Sequence, residues 1–210
     1  MKKYSILLIA FLLLSCNGNR DVQLPKAKGT IVADVQEHSP IYIFFKVNKQ
    51  DTIADVNRKN EIVSTNWIFN IDKRLPLRLI VPELIKLQAK KDGSIHKNEA
   101  AENFFSYDNE LKKTMAFLPF TKVHYFVAKP QPKGIIYFKK DNTVYVDLVK
   151  VKPEQLAPYL ISMKGTGLQT FYLCFDKNCS YDQYIKAKVL IYNLKNTTKG
   201  ITFTNSEYVY

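Results

Sequence analysis

The chain has 210 residues, of which 46% are hydrophobic and 13% are aromatic, and its formal net charge at neutral pH is +12. This composition excludes an intrinsically disordered chain and is typical of a globular protein with a real core. Only 7 residues are glycine, which argues against glycine-rich nucleotide-binding loops and against a collagen-like fibre. The length allows one medium-sized domain or two small ones.

Residues 1–15 have the pattern of a secretory signal peptide, with a short positively charged start and an apolar run over residues 5–14. The run is too short to cross a bilayer, which takes about 20 apolar residues. It ends in the sequence LLSC, which resembles the lipobox of bacterial lipoproteins. The resemblance implies cleavage before Cys16 and lipidation of its thiol, so we expect a mature protein anchored by lipid in the cell envelope, in the periplasm or at the outer membrane. An ordinary signal peptide followed by a chance cysteine is the alternative.

The positive charge indicates which partners to expect. Loss of residues 1–15 would remove two lysines and no acid, so the mature chain would keep a charge of about +10. An exported lipoprotein rarely meets nucleic acid, so we expect no nucleic acid partner and regard anionic envelope polymers such as peptidoglycan as better candidates. Because the lysines are spread along the whole chain, a generally solvated surface is the alternative to a dedicated basic face.

Residues 16–30 are polar and lack periodicity, which predicts a tether between the lipid and the fold. Runs of β-branched and aromatic residues then predict strands over residues 31–35, 41–47, 67–71 and 122–128. Residues 75–87 are strongly apolar but contain Pro76 and Pro82. They form either a helix that Pro82 kinks or two extended pieces, because a proline inside a helix costs about 3 kcal/mol.

A helix is predicted in the stretch from residue 106 to residue 118. Ser106 is a plausible N-cap. Behind it, Leu111, Met115 and Leu118 recur at helical spacing. Pro119 would end this helix, since proline cannot continue one.

Residues 129–133 form the clearest linker of the chain. Two prolines within four residues favour an extended, semi-rigid spacer. We therefore place a boundary here, between an N-terminal α+β module over residues 31–129 and a C-terminal module over residues 130–210.

The C-terminal module has a clear pattern of alternating elements. Residues 135–139 and 143–149 predict a β-hairpin, and the alternation in its second strand indicates two different faces. Pro153 suits the first turn of one helix, and Ser180 can cap another. Two further strands are predicted over residues 170–175 and 201–209. The predicted class is α+β, with small mixed β-sheets and helices packed on one face.

Residues 134–193 resemble the periplasmic domain of the ExbD/TolR family of biopolymer-transport proteins. The resemblance rests on the hairpin, on the helix sequence PEQLAPYL, and on an apolar strand that ends in Asp176-Lys177 before a helix. It implies a soluble module that dimerises and contacts TonB-type partners or the cell wall. The family's transmembrane helix carries a membrane-embedded aspartate, and residues 1–15 contain none, so the role in a proton-driven motor is not carried over.

The first half carries a related sequence. Residues 67–73, WIFNIDK, align with residues 171–177, FYLCFDK, at a constant offset of 104. Residues 41–44 are similar to residues 135–138, but at a different offset. We therefore predict that residues 31–129 are a diverged copy and that the chain holds two similar ExbD/TolR-like modules.

Four residues are candidates for contacts with a partner: Asp176, Lys177, Tyr208 and Tyr210. Asp176 and Lys177 form the junction on which the family resemblance rests, and tyrosine is enriched at protein interfaces. The C-terminal stretch from Tyr208 to Tyr210 could form an edge strand open to a partner strand. The alternative is that it pairs within its own sheet.

Cys174 and Cys179 are the cysteines that remain besides Cys16. Disulfides persist outside the cytoplasm, so these two residues could form a disulfide, although a bridge that closes so small a loop would stabilise little. Two buried free thiols are the alternative.

Sequence signatures of catalysis are not evident. The three histidines are scattered without metal-ligand spacing, and neither a nucleophile elbow nor a phosphate-binding loop occurs. We therefore expect no enzyme, no metal site and no cofactor. The leading hypothesis is a lipid-anchored, non-catalytic interaction module, accessory to a TonB–ExbB–ExbD or Tol-type envelope transport system. The alternative is a binder of an anionic envelope polymer such as peptidoglycan.

Overall fold

The computed structural model describes residues 21–130, 134–163, 165, 167 and 169–210. Within these residues, two mixed sheets of six strands each and three α-helices make up the protein. This architecture confirms the predicted α+β class with mixed sheets. None of the helices in the described ranges is both long and apolar enough to cross a membrane.

The elements are numbered in chain order. The strands are β1 (Lys26–Ala27), β2 (His38–Asn48), β3 (Asp51–Asn57), β4 (Asn66–Ile71), β5 (Asn103–Asn109), β6 (Thr114–Pro119), β7 (His124–Phe126), β8 (Ile135–Phe138), β9 (Val144–Val146), β10 (Val149–Val151), β11 (Thr170–Phe175) and β12 (Thr202–Val209). The α-helices are α1 (Leu77–Asp92), α2 (Leu156–Met163) and α3 (Tyr181–Thr197), and a 3₁₀ turn (Pro153–Gln155) precedes α2.

The first sheet has the central order β3-β2-β4-β5, and both β1 and β6 also pair with β5. β2, β4, β5 and β1 run parallel to their neighbours, whereas β3 and β6 are the antiparallel partners of β2 and β5. Strands β2 and β4 form clear runs of β-branched and aromatic residues, as expected of strands that are buried on at least one face.

The second sheet has the order β10-β9-β8-β11-β12-β7. β8, β11, β12 and β7 are parallel, and β9 and β10 complete an antiparallel edge. Strand β7 precedes the proline-rich linker in the chain, yet it pairs with β12. The second sheet therefore includes a strand from the residues assigned to the N-terminal module.

The two sheets repeat one topology. A hairpin is followed by a parallel strand, a helix and another parallel strand, as β2-β3-β4-α1-β5 in the first half and β8-β9-β11-α3-β12 in the second. Strands β4 and β11 begin 104 residues apart, and so do helices α1 and α3. The second half differs by strand β10 and helix α2, which lie between its hairpin and β11.

The starts of α1 and α3 face each other and exchange backbone hydrogen bonds. The Leu77 amide donates to the Cys179 carbonyl at 2.9 Å, and the Tyr181 amide donates to the Leu75 carbonyl at 2.8 Å. The two donors, Leu77 and Tyr181, are 104 residues apart in the chain, and so are the two acceptors, Leu75 and Cys179. The same exchange recurs one residue further into each helix, between Arg78 and Lys177 and between Asp182 and Lys73. At this contact the two halves are therefore related by an approximate local two-fold axis.

One continuous hydrophobic core joins the two halves. At its centre, Phe105 of β5 stacks on Phe120 with ring centroids 3.7 Å apart. The same Phe105 ring meets the rings of Tyr181 and Tyr184 of α3 edge-on, at 5.7 and 5.9 Å. Aromatic side chains dominate core energetics because each buries a large apolar area.

The helix predicted from residue 106 to residue 118 is wrong, because this stretch forms the β5–β6 hairpin. Its side chains alternate: Phe105 and Tyr107 point into the main core, whereas the buried Ser106 hydroxyl donates to Asn70 Oδ1 at 2.8 Å. The helical spacing noted in the sequence is a coincidence, since Leu111 lies in the turn and is exposed.

The tether predicted for residues 16–30 is wrong for its described part, residues 21–30. Lys26–Ala27 form β1 parallel to β5, and Ala27 is buried in the core. The Gln23 carbonyl also accepts a hydrogen bond of 2.8 Å from the Lys73 amide. Residues 21–30 thus belong to the fold.

The structure corrects the strand predicted over residues 31–35, and of the two alternatives left open for residues 75–87 it shows the helix. The strand predicted over residues 31–35 contributes only a single bridge between Val32 and Phe117. The apolar stretch from residue 75 forms helix α1, with Pro76 at its N-cap and Pro82 inside it. The linker residues 131–133 lie outside the described residues.

Candidate interaction surface

The second sheet has one face turned to the core and one turned outward. Side chains alternate along a strand, so Ile136 and Phe138 of β8 enter the core while Tyr137 points the other way. Aromatic side chains from five strands share this outward face. We call this set the tyrosine face: Phe126, Tyr137, Tyr145, Tyr172, Tyr208 and Tyr210.

The rings of the tyrosine face contact one another across strands. Tyr137 stacks on Tyr210 with centroids 5.0 Å apart, and Phe126 stacks on Tyr208 at 5.1 Å. Tyr172 meets Tyr208 edge-on at 6.1 Å. Such pairs contribute about 0.5–1.5 kcal/mol each beyond area burial. They hold the rings in place while one surface of the array stays in contact with solvent.

One end of the tyrosine face forms a groove with a volume of about 740 Å³. Its lining consists of Lys129, Ile135, Tyr137, Lys139, Tyr145, Asp147, Leu148 and Tyr210. Leu148 lies in the tight turn between β9 and β10 and is 94% exposed. A large apolar side chain fully in water beside several aromatic rings is typical of a contact surface.

The polar groups of the groove have distinct roles. The Lys139 ammonium lies 5.3 Å from the centroid of the Tyr145 ring, a cation–π contact. Asp147 Oδ1 accepts from the amides of Gly134 and Ile135 at 2.9 Å each and so fixes the start of β8. Because Asp147 is engaged in this way, the lysines supply the charge of the groove that is available to a ligand.

Burial, aided by the nearby Asp176 carboxylate and the Tyr210 phenol, raises the pKa of Tyr137 to about 12. The Tyr137 hydroxyl therefore stays protonated at neutral pH and can donate a hydrogen bond. Neutral phenols and lysine ammonium groups are donors, so the groove suits a ligand with oxygen acceptors.

The structure brings three of the four predicted contact residues to this end of the sheet. Tyr210 lines the groove, and the Lys177 amide donates to the Tyr210 carbonyl at 3.1 Å. The Asp176 carboxylate accepts from the Asn178 amide at 2.8 Å and is near enough to Tyr137 to raise its pKa. Tyr208 lies on the same face, further along the sheet.

The C-terminal stretch is not an open edge. Strand β12 pairs with β11 on one side and with β7 on the other, so its backbone groups already have partners. Tyr208 and Tyr210 can therefore meet a partner through their side chains and not by adding a strand. Pairing within its own sheet, the alternative considered for this stretch, is the arrangement observed.

The disulfide between Cys174 and Cys179 is not formed, and both thiols are free and buried. Cys174 belongs to the outward side of β11, in register with Tyr137 and Tyr208. Cys179 lies in the core, where its thiol contacts the Phe138 carbonyl at 3.6 Å. The two thiols therefore face opposite sides of the sheet.

Several residues of the surface were missed by sequence reasoning, namely Phe126, Tyr137, Tyr145, Leu148 and Tyr172. The alternation within residues 143–149 already indicated two faces, so Tyr145 carried a signal. What the sequence could not indicate is which face remains uncovered, because that depends on how the helices pack. Cys16, the predicted lipidation site, and the signal peptide of residues 1–15 lie outside the described residues.

Comparisons with known proteins found no match to a family model, to a curated protein or to a solved structure. In the described part of the chain, no group of three or more His, Cys, Asp or Glu side chains is placed to hold a metal ion.

Proposed function

We propose that this protein is a non-catalytic interaction module of the bacterial cell envelope. In this proposal it is anchored by lipid at Cys16 and is accessory to a TonB–ExbB–ExbD or Tol-type transport system. The observation that carries the proposal is the groove at the end of the tyrosine face. The resemblance of residues 134–193 to the ExbD/TolR family supplies the class of partner.

The groove suits a protein segment that carries apolar and acidic side chains. Tyrosine rings supply a large and rigid contact area and are enriched among the residues that dominate binding energy. Leu148 is available to enter an apolar pocket of a partner. Lys129 and Lys139 line the same groove, so an acidic segment would be attracted to it.

The chemistry of the lining supports binding more than catalysis. General acids and bases work best with a pKa near the working pH. The groove offers lysines, a carboxylate engaged by two backbone amides, and Tyr137 with a pKa of about 12. The lysines and the engaged carboxylate can bind and orient a partner, and Tyr137, with its raised pKa, does not exchange its proton readily at neutral pH.

The test is affinity purification of the tagged protein from gently solubilised envelopes, followed by mass spectrometry. We expect ExbB-, ExbD-, TonB- or Tol-like proteins to be recovered, and the Leu148→Ser variant to recover several-fold less of them. Ile95→Ser is the matched control, because Ile95 is 93% exposed but lies in the first half of the chain. Recovery of no transport component, or equal losses in both variants, would contradict the proposal.

Binding of an anionic envelope polymer such as peptidoglycan is a second candidate function. The contact between the Lys139 ammonium and the Tyr145 ring favours it, because an aromatic platform beside a cation can hold a sugar ring and an adjacent carboxylate together. Co-sedimentation with purified cell wall tests this candidate. Binding that weakens in modest salt and is lost in a Lys139→Met variant would support it.

A further inference from the structure

A second concave site lies where the two halves of the chain meet. Its volume is about 270 Å³. Helix α3 forms one wall, strand β12 another, and the loop that follows β6 a third. Three lysines line it, so we call it the lysine cleft: Lys122, Lys188 and Lys195.

The floor of the lysine cleft is a buried and fully satisfied ion pair. The side chain of Glu207 is 1% exposed and forms a salt bridge with Lys188. Tyr184 donates to Glu207 Oε2 at 2.8 Å, and the Tyr184 and Tyr125 hydroxyls lie 3.1 Å apart. A buried carboxylate held by a cation and a hydroxyl has its charge compensated. The Lys188 ammonium is therefore already paired with Glu207 and is not the group that a ligand would meet.

The strand that carries Glu207 is irregular beside the cleft. Phe171 pairs with Phe203, but Leu173 pairs with Glu207, so β12 contains two residues more than β11 over this interval. The extra residues form a bulge in which the Thr204 hydroxyl donates to the Ser206 carbonyl at 3.1 Å. Thr204 and Asn205 consequently line the cleft. Bulges re-aim side chains and are frequent next to functional sites.

Helix α3 presents one face to the cleft. Lys188, Ile191, Tyr192 and Lys195 are spaced three, four and seven residues from the first of them, which places them on one side of a helix. Unlike the Lys188 ammonium, the Lys195 ammonium makes no hydrogen bond or ion pair with any residue of the described ranges. The Lys122 ammonium, on the opposite wall, makes none with these residues either.

The first half shows what a lysine at this helix position can bind. Lys91 of α1 precedes Lys195 by 104 residues, the offset that relates the two helices. The Lys91 ammonium donates to the Thr65 carbonyl at 3.0 Å, to Asn103 Oδ1 at 2.9 Å, and to the Glu102 carbonyl at 3.3 Å. Lys91 thus has three oxygen acceptors from the chain, whereas Lys195 has a cleft in the corresponding place.

The burial of Lys195 and the lysine beside it make this ammonium receptive to an anion. Burial against packed protein atoms, followed by repulsion from Lys188, lowers the pKa of Lys195. An anion bound beside it would favour the charged ammonium. Two glutamates and three lysines line the cleft in total, which leaves one uncompensated positive charge.

We propose that the lysine cleft binds a small carboxylate with an apolar body. The carboxylate would take the place at Lys195 that chain oxygens occupy at Lys91, and Lys122 lies on the opposite side of the same space. One remaining positive charge matches a singly charged group. Leu118, Val123, Leu173 and Ile191 supply an apolar wall for the rest of the ligand. This proposal does not depend on the function proposed for the tyrosine face.

The test uses N-acetyl-leucine as the probe and N-acetyl-leucinamide as its neutral counterpart. We expect N-acetyl-leucine to shift the backbone amide signals of Tyr192, Lys195 and Asn205 in a saturable way, with a Kd of about 1 mM or tighter. The neutral amide should bind at least about tenfold more weakly, because the charge-assisted hydrogen bond is lost. Absence of saturation, or equal binding of the two probes, would overturn the proposal.

Two variants and one further ligand complete the test. Lys195→Met should weaken the binding of N-acetyl-leucine at least about tenfold, while Lys112→Met, which removes the same charge from an exposed turn, should leave it unchanged. Unaltered binding by Lys195→Met would exclude the assigned site. Inorganic phosphate should bind more weakly than the carboxylate, and tighter binding of phosphate would overturn the assignment of ligand class.

Discussion

The ammonium of Lys91 donates a hydrogen bond of 2.9 Å to Oδ1 of Asn103, and both side chains are buried. The bond ties the last turn of α1 to the first residue of β5. It forms together with two bonds to backbone carbonyls and a contact of 4.9 Å with the Trp67 ring. Lys91 therefore holds the last turn of α1 against β5. Lysine is almost never fully buried without such partners.

Replacement of Lys91 with methionine should destabilise the protein. The variant keeps a similar length of side chain but leaves the Thr65 carbonyl and Asn103 Oδ1 without their donor, whereas the Glu102 carbonyl keeps the hydrogen bond from the Trp67 amide. Each buried unsatisfied polar group costs about 1–3 kcal/mol. We expect a loss of at least that order in the free energy of unfolding, measured by urea denaturation. Lys112→Met serves as the control and should change stability little, because Lys112 is exposed. Equal midpoints for the two variants would contradict this role of Lys91.

The stability contributed by Lys91 should depend on pH. Burial lowers the pKa of Lys91 from 10.5 to about 8, so between these values the unfolded chain binds more protons than the folded protein. Stability then rises with pH. Measured against Lys91→Met, which lacks the group, the natural protein should gain stability from pH 8 to pH 10.5. A difference that stays constant across this interval would show that the ammonium is not penalised by burial.

The two described thiols should be inert in the folded protein. Burial raises the pKa of Cys174 and of Cys179 from 9.0 to about 12, and only the thiolate reacts with disulfide reagents. We expect an aromatic disulfide reagent at neutral pH to modify neither thiol without denaturant and both in its presence. Cys174→Ala and Cys179→Ala assign the signals. If neither thiol reacted in denaturant without a reductant, the two would be joined in a disulfide.

Removal of the Tyr184 hydroxyl should weaken the contact between α3 and β12. In Tyr184→Phe the buried Glu207 carboxylate loses a donor at 2.8 Å, and a hydrogen bond to a charged group is worth about 1.5–3 kcal/mol. Thermal unfolding should therefore begin at lower temperature. Tyr159→Phe is the control, since the Tyr159 hydroxyl makes no hydrogen bond within the described ranges. A Tyr184→Phe variant as stable as this control would mean that Lys188 alone compensates Glu207.

The elements that could be predicted from the sequence are those whose signal lies in neighbouring residues. Strands β4 and β11 are short, continuous runs of apolar and β-branched residues, and Ser180 forms the capping box that starts α3. Sequence reasoning failed at Ser106, where three apolar residues at helical spacing concealed the alternation of Phe105 and Tyr107. Strand β1 could not be predicted, because a two-residue strand exists only through its distant partners Asp108 and Asn109.

The two proposed binding surfaces could be predicted from the sequence only in part. Tyr208 and Tyr210 could be singled out because tyrosines are common at interfaces, and the structure places both on the tyrosine face. The lysine cleft had no signal, since Lys91 and Lys195 are both ordinary lysines in the last turn of a helix. Their different surroundings arise from segments that lie far away in the chain, such as Thr65 and the bulge in β12.

Because strand β7 pairs across the linker, the two halves of the chain should behave as complementary fragments that the linker joins covalently. Strand β7 precedes the linker but completes the sheet that follows it, and the helix starts are also bonded across the halves. A single cut in the linker should therefore yield two pieces that remain associated under native conditions. Either piece produced alone would expose unpaired strands and core aromatics, so the halves should be stable as partners and not as separate proteins.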